Sequence, residues 1–131
     1  MINRYNTPQM KKIWSDQNKY TTWLKVEIAV TEVLCEMGLV PQKSLNIIKE
    51  KANFSIDRIL QIEKETRHDV IAFLTNLSEN IGPDSRFIHM GMTSSDLLDT
   101  SLALQCKESA LIIKNKLNIF YEILRKNAVE H

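Results

Sequence analysis

Apolar residues return every three or four positions along nearly the whole chain, and only short breaks interrupt them. That period belongs to helices with one face turned toward a core, so the pattern predicts an all-α protein. The first helix opens at Thr7-Pro8, as N-cap and first helical residue, with Met10, Ile13 and Trp14 on one face. A second helix is expected from about Asp16 to Met37. Tyr20, Trp23, Leu24, Ile28, Leu34 and Cys35 form its stripe; Val26, Val30, Val33 and Met37 widen it, so much of its circumference is expected to be buried. Trp14 and Trp23 both read as core. Gly38 stops this helix, and Pro41 opens a third that runs to about Lys51 on Leu45, Ile48 and Ala52. Phe54-Ser55 breaks the pattern, with Ser55 as cap of a fourth helix carrying Ile56, Ile59, Leu60 and Ile62. Thr66 then reads as the cap of a fifth, along which Val70, Phe73, Leu74, Leu77 and Ile81 recur until Gly82-Pro83. Asp84 to Met92 shows no period and reads as a connection with a short extended piece.

From Ser94 to His131 there is neither glycine nor proline. Leu97, Leu98, Leu102, Ile113, Leu117, Phe120, Leu124 and Ala128 keep one stripe, which predicts a single helix of about 55 Å. A domain made of the preceding segments has a radius of gyration of only about 12–13 Å, so the far end of this helix outruns it. The expected architecture is a small N-terminal helical domain, residues 1–93, followed at 94–131 by the start of a central long-helix bundle domain, cut within or at the end of its first helix. The alternative is a frayed helix that pairs with its own copy.

Composition narrows the function classes. Seventeen basic and sixteen acidic residues leave a formal charge of +1, which speaks against a nucleic-acid binder. Cys35 and Cys106 lie far apart with no CxxC pair, so neither a zinc site nor a disulfide framework is expected. No apolar run approaches the roughly 20 residues of a bilayer span. The expectation is a cytoplasmic protein with reduced thiols and no membrane partner.

Chemistry concentrates at two places. In His89-Met90-Gly91-Met92-Thr93-Ser94-Ser95-Asp96, a glycine loop and a row of hydroxyls lead into the long helix, with Thr93 and Asp96 at capping-box spacing. A helix start exposes free N–H groups and a partial positive charge, which attract anions. Thr66-Arg67-His68-Asp69 repeats the Thr-x-x-Asp spacing, with Arg67 and His68 expected in the first helical turn. A cation there is mildly unfavourable for the helix unless an anion joins it, and arginine suits bidentate grip on phosphate or carboxylate. Each start alone reads equally well as a plain cap.

Taken together with Arg4-Tyr5 in a polar N-terminal arm, the stretches Glu63-Lys64-Glu65-Thr66-Arg67-His68-Asp69-Val70 and His89 to Asp96 resemble the N-terminal part of the adenylosuccinate lyase family, within the fumarase/aspartase superfamily. The resemblance runs over essentially all 131 residues. It implies a homotetramer of long helices, with each active site shared by three subunits and no metal or organic cofactor. The implied reaction releases fumarate from adenylosuccinate to give AMP, and from the succinyl-carboxamide ribotide in purine synthesis. Arg4 and Tyr5 then stand as contacts to the nucleotide phosphate. Arg67, His68 and Asp69 stand as substrate-site residues, His68 being the family's first active-site histidine, in a substrate-orienting role. Thr93 and Ser94 stand against the succinyl carboxylate, and His89 lines the same pocket. The family's general acid and its serine base lie on segments beyond His131, so this chain alone is expected to be inactive. Two readings from other classes stand beside this one: a self-contained helical interaction module using the stripe on 97–128, and a small anion-binding regulatory domain.

Overall fold

The computed structural model describes residues 3–130; Met1, Ile2 and His131, the ends of the predicted arm and of the last predicted helix, lie outside the described residues. Six α-helices follow one another among the described residues: α1 (Pro8–Ile13), α2 (Asp16–Glu36), α3 (Gln42–Lys51), α4 (Ile56–Thr66), α5 (Asp69–Ile81) and α6 (Ser94–Glu130). There is no strand among the described residues. The expected all-α class is what the chain adopts.

Local chemistry sets most of these boundaries. The Thr7 hydroxyl accepts from the Met10 N–H, and Pro8 takes the first helical position, where its missing donor costs nothing. The Ser15 hydroxyl caps α2 in the same way through Asn18 N–H. At its other end, Gly38 adopts φ +75°. Its N–H reaches the Cys35 carbonyl and that of Leu39 reaches Leu34, the paired bonds of a Schellman stop. Ser55 caps α4, and Gly82 at φ +79° ends α5.

The core lies where α2, α4 and α5 meet the first turns of α6. Tyr20 and Trp23 of α2 close on Phe73 of α5, with ring centroids 5.7 Å and 5.4 Å away, and Phe54 adds a fourth ring. Ile48, Ile59, Val70, Leu77 and Leu97 are fully buried around them. Helices α4 and α5 form an antiparallel hairpin. Arg58 near its open end grips Glu79, with Nε 3.1 Å from each carboxylate oxygen and a second nitrogen 2.6 Å from Oε1.

Several expectations are corrected. Thr66 is not a cap: it is the last residue of α4, and its hydroxyl donates to the His68 carbonyl. Helix α4 runs on a full turn past Ile62, its last buried residue, to Thr66, and the break falls at Arg67-His68. Residues 83–87 form a 3-10 turn, Pro83–Phe87, in place of an extended piece, because Pro83 fixes φ at a helical value. Trp14 ends α1 and is 38% exposed; Val33 and Met37 are exposed too. Among the described residues no other helix covers the face of α2 that carries Val33 and Met37, while Trp14 borders a cavity against α6. On α6 the buried positions are Leu97, Ser101, Gln105 and Ser109, spaced by four. Small and polar side chains let α1 and α2 approach closely there, and Gln105 donates to the Ile13 carbonyl at 2.8 Å. The predicted members Leu102, Ile113, Leu117, Phe120 and Leu124 are exposed instead. Periodicity marks a face as apolar, but it does not say that this chain covers it.

Candidate active site at two helix starts

Between α4 and α5 the chain turns in two residues. Arg67 takes the left-handed conformation, φ +51°, and its N–H closes α4 on the Glu63 carbonyl. A side chain there costs of order 1–2 kcal/mol relative to glycine. Its guanidinium is exposed and forms no ion pair among the described residues. His68 is extended and serves as N-cap of α5, its Nδ1 accepting a long, 3.4 Å bond from the Ile71 N–H. A ring nitrogen that accepts carries no proton. The nearby Asp69 oxygen, 3.7 Å from the same Nδ1, is therefore no hydrogen-bond acceptor for it, and the ring proton stands on Nε2. Asp69 turns one oxygen to its neighbour Val70 N–H and sets the other 4.0 Å from Lys19 Nζ. Arg67 and His68 thus precede the helix rather than sit in its first turn.

The second start keeps half of its expected capping box. The Asp96 carboxylate accepts from the Thr93 N–H at 2.9 Å. The Asp96 N–H goes to the Thr93 backbone carbonyl, however, and no hydrogen bond involves the Thr93 hydroxyl among the described residues. That hydroxyl, together with the unpaired N–H groups of the first turn at Ser94 and Ser95, faces outward from a positive helix end. Val70 and Leu97, one residue beyond Asp69 and three beyond Ser94, are buried in the same cluster. Both helix starts therefore grow from one rigid core. Lys19 joins them more directly. It reaches Asp69 on one side, lies 4.6 Å from the Trp23 ring, and lines an open cavity of about 310 Å³ with Leu98, Asp99 and Gln105 of α6.

His89 stands apart from the exposed candidates. It is in left-handed conformation, φ +61°, and is pinned to Glu27 by two bonds. Its N–H donates to Oε2 at 2.9 Å, and its Nδ1 lies 2.6 Å from Oε1. Glu27 is fully buried in the middle of α2. Burial holds its carboxyl above the usual carboxylate range, and the hydrogen bonds and charge of His89 offset only part of that rise. Arg4 and Tyr5 lie in a 3-10 turn, Asn3–Tyr5, with the guanidinium 4.8 Å from the ring centroid. Among the described residues no hydrogen bond or ion pair joins them to the other candidates.

Two functional candidates escaped the sequence reading. Glu27 had a signal: it falls on the Tyr20, Trp23, Thr31 side of α2, where a carboxylate must find a partner. Lys19 had none, since its link to Asp69 spans fifty positions and no local pattern marks it. Among the described residues no group of three or more histidine, cysteine or acidic side chains is placed to hold a metal ion.

Residues 3–131 match the Lyase family. The chain belongs to that family. Its relatives include an adenylosuccinate lyase of Synechocystis, 51% identical over all 131 residues, and one of Streptococcus mutans at 46%. The chain spans 30% of the length of each of these lyases. A 3-carboxy-cis,cis-muconate lactonizing enzyme from Pseudomonas putida superposes on 97% of the chain with a TM-score of 0.88 and 25% identity, over 31% of its own length. The helical frame is thus shared with an enzyme of different sequence and a differently named reaction.

Proposed function

We propose that this chain is the substrate-gripping N-terminal portion of an adenylosuccinate lyase. The whole enzyme cleaves a carbon–nitrogen bond, eliminating fumarate from adenylosuccinate to give AMP, and likewise from the succinyl-carboxamide ribotide. The observation that carries this reading is 51% identity over every residue of the chain to a lyase of that name. The geometry supports it. The substrate holds one phosphate and two carboxylates, and the chain offers two helix starts, a free hydroxyl at Thr93 and an Arg67 guanidinium without an ion pair. In this reading Arg4 and Tyr5 hold the phosphate, Thr93 and Ser94 the succinyl carboxylate, and His89 lines the pocket. Arg67 and Asp69 complete the grip, and His68 orients the substrate through its Nε2–H.

Elimination needs a base for the departing proton and an acid for the leaving nitrogen, both held in place. In this reading they come from other segments of a longer chain and from other subunits of a homotetramer in the cytoplasm. Residues 1–93 form the N-terminal domain, and 94–131 open the bundle that assembles the tetramer. The test is made in the full-length protein with Arg67→Ala and His68→Ala. Each is expected to lower turnover of adenylosuccinate by roughly a hundredfold or more, the usual weight of a group that positions a reacting substrate. Normal turnover in both variants would overturn the site.

A further inference from the structure

The contact between Glu27 and His89 joins two residues 62 positions apart and unequal in their surroundings. The Glu27 side chain is 0% exposed and that of His89 17%. Among the described residues no hydrogen bond involves His89 Nε2, yet that atom is not one of the buried polar atoms left without a partner there, which are Ser101 Oγ and Ser109 Oγ. One ring nitrogen therefore points to a buried carboxylate, and the other opens to solvent.

We infer that Glu27 is a positioning residue that fixes His89 as its Nδ1–H tautomer and presents Nε2 outward as a hydrogen-bond and proton acceptor. At 2.6 Å a proton must stand between Nδ1 and Oε1, since two lone pairs would repel. The other oxygen, Oε2, already accepts from the His89 backbone N–H. With Glu27 ionised and the ring neutral, the shared proton belongs to Nδ1 and Nε2 carries only its lone pair. The same pair of bonds holds His89 in its left-handed backbone conformation, so ring direction and tautomer are set together. The buried carboxylate does not touch a ligand; it acts through the imidazole. The functional consequence rests on the lyase reading above: the pocket wall at His89 then carries an acceptor, complementary to His68, whose free nitrogen carries a proton.

Glu27→Gln gives a sharp test, because an amide cannot satisfy both bonds unchanged. The backbone N–H of His89 is an obligatory donor, so the Gln oxygen must take it. The amide NH2 then faces Nδ1, which has to become an acceptor, and the ring proton moves to Nε2. Long-range 1H–15N correlation of the histidine rings reads this directly in the chain. The Nδ1–H pattern is expected for His89 in the wild type and the Nε2–H pattern in Glu27→Gln. An Nε2–H ring in the wild type, or an unchanged ring in the variant, overturns the inference. In the full-length protein, Glu27→Gln is expected to lower kcat for adenylosuccinate by about tenfold or more, the direction seen when a carboxylate that fixes a histidine tautomer becomes an amide. A swapped tautomer with normal kcat overturns the positioning role. A wild-type protein without lyase activity overturns the proposed function instead, and the ring spectra still decide the tautomer.

Discussion

Arg67 holds a backbone conformation that helices usually leave to glycine at their C-terminal stop. The fold alone gains nothing from an arginine there, since its guanidinium forms no ion pair among the described residues. Arg67→Gly is therefore expected to stabilise the protein by up to about 1 kcal/mol, as relief of left-handed strain does. Under the function proposed above, the same change in the full-length protein should abolish turnover of adenylosuccinate. Denaturant titration and a fumarate-release assay on one variant check both halves, and a loss of stability would show that the arginine serves the turn. That Arg67, His68 and Asp69 stand together at a helix start was legible in the sequence, from the capping residues and the apolar period that follows them. Their exact stations were not. Thr66 and Asp69 have the spacing of a capping box, but one added helical turn on α4 moved the cap to His68. The choice between those registers is made by packing of the hairpin, which no short motif encodes.

Among the elements, the α4–α5 hairpin is tied at its open end by Arg58 and Glu79. Hydrogen bonds from Arg58, then from Asn76, hold the Glu79 carboxyl below its ordinary value of 4.5. A carboxyl with a lowered folded pKa adds stability that is complete above its unfolded value and disappears as pH falls through the folded one. Chemical-denaturation midpoints of wild type and Glu79→Gln should therefore differ near neutrality and converge under acid. A gap that persists at low pH would assign the loss to packing instead. At the start of α6, Asp96→Ala removes the acceptor for the Thr93 N–H and should cost about 0.5–2 kcal/mol, the usual weight of a cap, read as a lowered denaturant midpoint. Helix limits were the most legible feature of the chain because Thr7-Pro8, Ser55, Gly38 and Gly82-Pro83 act through bonds within four residues. The 3-10 turn at Pro83–Phe87 was not, since five residues leave no period to read.

For the molecule as a whole, the ring cluster of Tyr20, Trp23, Phe54 and Phe73 is the keystone, joining α2, α5 and the segment before α4. Phe73 is fully buried, and Phe73→Ala should cost about 3–5 kcal/mol, a large part of the stability of a domain this size. Thermal unfolding would show it. All four rings stood on predicted helices or at a predicted break, but which of them meet is a long-range outcome beyond the reach of a helical period. The same limit explains the long last helix. Its existence follows from an unbroken run without glycine or proline; on its buried side Leu97 was read as core, while the polar Ser101, Gln105 and Ser109 were passed over.

That helix is continuous in geometry but not in stability. Up to Ser109 its backbone is held by the core through α1 and α2; beyond it Leu111, Leu117, Ile119, Phe120 and Leu124 are each at least half exposed. Amide hydrogens from Leu98 to Ser109 should exchange with solvent only through global unfolding, and those further on through local fraying. One rod of 37 residues thus contains two clocks, and a partner that covered its outer turns would be detected as the second clock slowing to match the first.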